Sequence, residues 1–213
     1  MRIYHYAVLL LLALSSCTCN KATVSPGSPE TTGETTEEAA KSPEWLAIEK
    51  NMDAYFGAQK KGDFETFADY SMPRLFELVP RADIIAGMKS HYDQGLHQGM
   101  DNIAITRISD FVEDSLYRYC LVQFTGTMWV KFLPEYPTDP MVMYNQIKEE
   151  HGEENMKYDE ANREYTIERV FKVYAISPKD SMNFTFLNHG FVRSSMAGDI
   201  MDFEVLRTLR SYE

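Results

Sequence analysis

The stretch MDAYFGAQKKGDFETF, residues 52–67, decides how this chain is read. Met52, Tyr55 and Phe56 recur at the three- and four-residue spacing of one helix face, and Trp45 and Ile48 extend that stripe upstream. Lys60-Lys61-Gly62 then closes the helix. The two cations suit its negative dipole end, and a glycine takes the left-handed C′ conformation without a steric penalty. Asp63 follows at once as the N-cap of a second helix carrying Phe64, Phe67 and Tyr70. The first helix opens at Ser42-Pro43-Glu44 with a capping hydroxyl, a proline in the first turn and an acid near the positive end.

Working outward toward the C-terminus, a third helix over residues 82–93 places Ile84, Ile85, Met88 and Tyr92 inward. After Gly95 and Gly99 the apolar period changes. Residues 102–111 and 115–125 read as strands around the short turn Val112-Glu113-Asp114, and Gly126 bends the second strand before residues 127–133 continue it. Asp139-Pro140 starts another helix, with Met141, Tyr144 and Ile147 on one side and Gly152 at its end. Residues 163–176 form a long β-branched and aromatic strand, residues 178–181 a turn, and residues 182–187 a further strand. Asp199 is read as the cap of a terminal helix bearing Phe203, Leu206 and Leu209. Helices first and long antiparallel strands after them is the order of an α+β domain, N-terminal helices packed on a curved antiparallel sheet.

Toward the N-terminus, Leu14-Ser15-Ser16-Cys17 directly follows the apolar run Ala7-Val8-Leu9-Leu10-Leu11-Leu12-Ala13. With Arg2 ahead of it, this has the parts of a secretory signal, and its apolar core is far shorter than the ~20 residues of a membrane-spanning helix. Leu-Ser-Ser-Cys resembles a bacterial lipobox. The resemblance implies a signal peptide over residues 1–16, lipid attachment at Cys17, and a place in the bacterial cell envelope, held to a membrane by palmitate-type acyl chains. Thr18 after the cysteine is compatible with sorting to the outer membrane, on its periplasmic or surface face. The competing reading is cleavage near Ser16 without lipidation. Residues 17–42 are rich in Thr, Ser, Glu, Pro and Gly, which predicts a disordered tether, and the α+β domain takes residues 43–213.

Charge and motifs work mainly by exclusion. With 21 Lys and Arg against 32 Asp and Glu, the net charge is −11. No basic cluster offers the face that nucleic acid needs, or that anionic lipid would attract. Three cysteines, Cys17, Cys19 and Cys120, make no disulfide framework, and Cys120 reads as a small buried hydrophobe. Glu149, Glu150, His151, Glu153 and Glu154 do not match a calcium loop and read as a solvated acidic helix end. No serine elbow, phosphate loop or zinc motif is present, so neither a metal nor a cofactor is expected.

The segments Met52-Asp53-Ala54-Tyr55-Phe56 and Lys61-Gly62-Asp63-Phe64-Glu65, the helix ending at His91-Tyr92 and the paired strands together resemble the NTF2-like superfamily, which includes SnoaL-like and ketosteroid-isomerase-like proteins. The resemblance runs from Trp45 to about Leu187, and residues 134–162 depart from it as an acidic helical or hairpin insertion. It implies a cone with a pocket between helices and sheet. Candidate lining residues are Tyr55, Tyr70, Tyr92, Tyr119 and Trp129, with His91 and Arg118 as polar handles; the alternative is that these side chains fill the core. Three functions follow as expectations. One is an anchored envelope lipoprotein binding a small apolar ligand or a protein partner without catalysis. Another is a SnoaL-like isomerase or hydrolase, with Asp69 or His91 facing Tyr70 or Tyr119. The last is a structural homodimer formed through the sheet.

Overall fold

The computed structural model describes residues 41–192 and 197–212. The expected signal peptide, Cys17 and the tether up to residue 40 lie outside the described residues. Helix α1 (Pro43–Lys61) begins where its cap demands: the Ser42 hydroxyl oxygen accepts from the Trp45 N–H at 3.1 Å. It ends in a Schellman motif, the Gly62 N–H reaching the Gln59 carbonyl and the Asp63 N–H that of Ala58. Asp63 then caps α2 (Phe64–Asp69) through the Thr66 N–H. A single turn, α3 (Leu75–Leu78), leads to α4 (Arg81–Asp93).

Gly62 has a φ of 71°, and a Cβ there would lie 2.9 Å from Cζ of Tyr92. Gly62→Ala is therefore expected to cost more than about 1 kcal/mol, from backbone strain and displacement of the ring together. Urea unfolding checks this, and an unchanged midpoint would contradict it.

The sheet that follows is antiparallel, with strands β1 (Leu96–Ile108), β3 (Tyr117–Phe132), β5 (Glu164–Pro178) and β4 (Met156–Asp159) side by side in that order. Short β2 (Val112–Glu113) pairs with β3, and β6 (Thr185–Asn188) with β5. Register shifts in β1 between Asp101 and Ala104 and between Ile105 and Arg107 curve the sheet. Phe124 and Phe171 face each other across β3 and β5, and Phe56 of α1 packs on Phe124 with ring centroids 5.5 Å apart. Tyr119 and Leu121 point to the opposite side of β3 by strand alternation, yet they are as fully buried. A second layer therefore covers this end of the sheet. It comes from the C-terminal helices α6 (His189–Val192), α7 (Ala197–Ile200) and α8 (Phe203–Arg210), of which α8 packs on β2 and β3. Among the described residues no helix is long and apolar enough to cross a membrane.

The α+β order read from the sequence holds, with several local corrections. Strand β1 starts at Leu96 rather than 102, because Gly99 is not a loop residue: it lets Trp129 lie against the backbone, where a Cβ would sit 2.5 Å from Cζ2. Gly126 does not interrupt β3, which runs unbroken with Gly126 opposite Arg169. The last strand begins at Thr185, leaving Met182 exposed. The terminal helix is capped by Asp202, not Asp199. Phe203 is 72% exposed, and Val205 joins Leu206 and Leu209 in the inward stripe.

Residues 134–162 hold helix α5 (Pro140–His151), capped by Asp139 and ended at Gly152, and strand β4 in a hairpin with β5. Met143 and Ile147 face inward, while Met141 is exposed. His151 closes α5 in a buried position, where burial and then the Arg169 charge push it down to about 3. The folded protein thus holds His151 neutral while the unfolded chain protonates near 6.5. Its stabilising contribution is complete above about pH 6.5 and is lost as the pH falls from there toward 3, at up to about 1.4 kcal/mol per pH unit. Melting temperatures between pH 6.5 and 5 should fall more steeply for wild type than for His151→Gln; parallel curves would refute this.

Candidate functional site

The turn between β2 and β3 is built by one carboxylate. In Asp114-Ser115-Leu116-Tyr117, Oδ1 of Asp114 accepts from the N–H groups of Leu116 and Tyr117, both at 2.7 Å, forming an Asx turn. Its Oδ2 accepts from the Tyr119 hydroxyl at 2.6 Å and lies 3.7 Å from Nη1 of Arg74. Burial pushes the Asp114 carboxyl up, but bonds from Tyr119, Tyr117 and Leu116 and the Arg74 charge outweigh it and leave it below its usual range. Burial, then the bond to Asp114, drives the Tyr119 phenol well above its ordinary value. Arg74 also donates to the Ile200 carbonyl at 3.5 Å and stands over the Tyr117 ring at 5.4 Å. The group ties α3, the β2–β3 turn and α7 together.

These residues form one wall of a cleft of about 550 Å³ that opens between the turn and the C-terminal helices. Met201 and Val205 give it an apolar floor, and Glu113, Asp199, Asp202 and Glu204 stand around it. Asp202 is engaged as the cap of α8, Glu113 pairs with Lys179 at 3.2 Å, and Glu204 pairs with Arg207 at 2.5 Å. Among the described residues the lining holds five carboxylates and one cation, Arg74, so the recess favours a positively charged guest. Among the described residues no three His, Cys, Asp or Glu side chains converge as a metal site.

The residues expected to line a cone pocket fall in separate places. Tyr55 lies in the core, stacked on Phe67 at 4.5 Å and touching Phe56 and Phe186. The Tyr70 carbonyl accepts from the Phe186 N–H at 2.7 Å and so fastens α2 to β6. Arg118 donates to Ser177 Oγ and the Ser181 carbonyl, and its guanidinium lies 4.9 Å from the Phe111 ring and 5.3 Å from that of Phe184. Tyr92 stacks on His97 at 3.9 Å, while His91 borders a small cavity beside Gln98. Trp129 donates to Asp101 at 2.9 Å, and Lys60 pairs with the same carboxylate. Trp129 and Tyr119 stand ten residues apart on one strand, a span of roughly 34 Å. Tyr119 reaches the cleft through its hydroxyl on Asp114 and its pairing with Val112, and Arg118 adjoins it by pairing with Glu113.

The acid–base candidates Asp69 and His91 stand on α2 and α4. Asp69 is exposed and paired with Arg81 at 2.7 Å, and His91 lies ten residues beyond Arg81 along α4, about 15 Å away. Cys120 is buried, with its thiol pushed up to about 12, as suits a small apolar filler. Arg74 and Asp114 are not among the residues expected at a site. Only Asp114-Ser115, a turn-forming pair after a strand, carried a signal for them.

No protein-family description matches the chain, and no curated protein matches it. Among solved structures it is similar to the crystal structure of an NTF2-like family protein from Streptomyces avermitilis, provisionally assigned as a dehydratase. The two are 11% identical over 67% of this chain and 90% of that one, with a TM-score of 0.34.

Proposed function

We propose that the protein is an envelope lipoprotein, moored through acylated Cys17, whose domain binds a protein partner without catalysis. The cleft beside the C-terminal helices receives a basic side chain of that partner. The observation that carries this reading is the cleft itself: a recess of about 550 Å³ with an excess of carboxylates, one wall of which is held rigid by the Asp114, Tyr119 and Arg74 contacts. A small apolar ligand is less well supported. The side chains proposed to hold it lie in separate places, Tyr55 in the core, Arg118 on Ser177 and Trp129 on Asp101, and the cleft is polar at its rim. A guest bearing lysine or arginine would meet Asp199, Asp202 and Glu204 above an apolar floor suited to the methylene stem.

Calorimetric titration of the mature protein with a short Lys-Gly repeat peptide, and with a Glu-Gly repeat of equal length, tests the reading. The basic peptide should bind and the acidic one should not. Replacing Asp199 or Glu204 by lysine should weaken binding about twofold to fivefold each, the worth of roughly 0.5–1 kcal/mol per exposed pair. Equal affinity for both peptides, or no response to charge reversal, would refute the cleft as the site.

A further inference from the structure

A second, much smaller cavity lies between α2, the end of α4 and the first residues of β1. It measures about 10 Å³, is walled by Phe64, Met88, Tyr92 and Leu96, and has Gln59, His91 and Gln98 on its polar side. That volume holds about one oxygen-sized atom. Nδ1 of His91 and Nε2 of Gln98 are both buried and have no hydrogen-bond partner. Folded proteins leave few such groups unsatisfied, since burying a polar group without a partner forfeits its bond to water. The two nitrogens are brought to one cavity by different elements, His91 by the last turn of α4 and Gln98 by the third position of β1. Between them the Gly95 N–H bonds the Tyr92 carbonyl at 2.9 Å, and the Leu133 N–H bonds the Gly95 carbonyl at 2.8 Å, so the approach of the two elements is fixed. Tyr92, held between Gly62 and the His97 ring, closes the wall.

We propose that this cavity is a binding site for a single oxygen-bearing group, which accepts a hydrogen bond from the Gln98 amide and bonds Nδ1 of His91. An internal water, the one oxygen the cavity has room for, supplies that group. Burial keeps the His91 imidazole below its ordinary titration range, so near neutral pH Nδ1 can serve as either partner to an oxygen.

Crystals of the full mature chain carrying Cys17→Ser, which takes no acyl group, test this at a resolution of about 1.6 Å. They are grown free of alcohols and organic acids. An isolated peak within about 3.2 Å of both nitrogens identifies the water and supports the proposal. Gln98→Leu should then lose the peak. The proposal is overturned by an empty cavity in every crystal, by His91 and Gln98 bonded to each other or turned to solvent, or by a peak that persists in Gln98→Leu.

Discussion

Phe124→Ala is expected to cost about 3–5 kcal/mol, enough to unfold much of a domain whose total stability is about 5–15 kcal/mol. Phe124 is fully buried and touches both layers of the core: Phe56 of α1 at 5.5 Å and Phe171 of β5 at 5.6 Å, the latter nearly parallel at 24°. Removing the ring leaves a cavity where helix and sheet meet, and neither neighbour can fill it without giving up its own contacts. Val170→Ala is the control. That residue lies on the same sheet but is 49% exposed, and its change should stay within about 0.5 kcal/mol. Thermal melts of the two variants decide the matter. A loss below about 1 kcal/mol for Phe124→Ala would mean that α1 does not pack on this part of the sheet.

Asp114→Ala is the second large effect, at about 2–3 kcal/mol. The substitution removes the acceptor of two turn N–H groups, orphans the Tyr119 hydroxyl and leaves Arg74 facing only Ile200 and the Tyr117 ring. Asp114→Asn keeps an oxygen for the turn and should lose less than half as much. The pH dependence has a definite sign. Because the folded carboxyl lies below its ordinary value, its contribution is complete above about pH 4 and is lost as the pH falls through the lower folded value. Wild type and Asp114→Ala should therefore converge in stability in acid and differ most near neutrality. A constant gap down to pH 2 would show that the carboxylate charge is not what holds the turn. The same variant should also weaken peptide binding at the cleft, since the wall that Arg74 and the turn form would loosen.

The parts of the fold that sequence reveals are those written in local chemistry. Ser42-Pro43-Glu44, Lys61-Gly62-Asp63 and Asp139-Pro140 each specify a helix end through caps that need no tertiary partner, and all three stand where expected. The failures share a cause as well. Gly99 and Gly126 look like breaks, but each is a place where the Trp129 ring or the Met100 side chain approaches the backbone, a contact invisible along the chain. For Tyr119 the resemblance leaves open a pocket lining or a place in the core. Its actual side is set by the C-terminal helices that cover the opposite face, and no periodicity in β3 announces them. That Asp69 is paired with Arg81 of the next helix, and that His91 borders a cavity beside Gln98, are likewise contacts between segments that spacing along the chain does not announce. The cleft depends on residues 74, 114 and 199–208, three separated segments, and their meeting is a product of the sheet register.

Acylation of Cys17 is what would moor a partner-binding domain to the envelope. Cells expressing the protein are fed an alkyne analogue of palmitate, the protein is recovered, and the incorporated label is read beside that of Cys17→Ala. The expected result is strong labelling and membrane recovery of wild type, with both lost in the variant. Label-free wild-type protein, fractionating like Cys17→Ala, would contradict it.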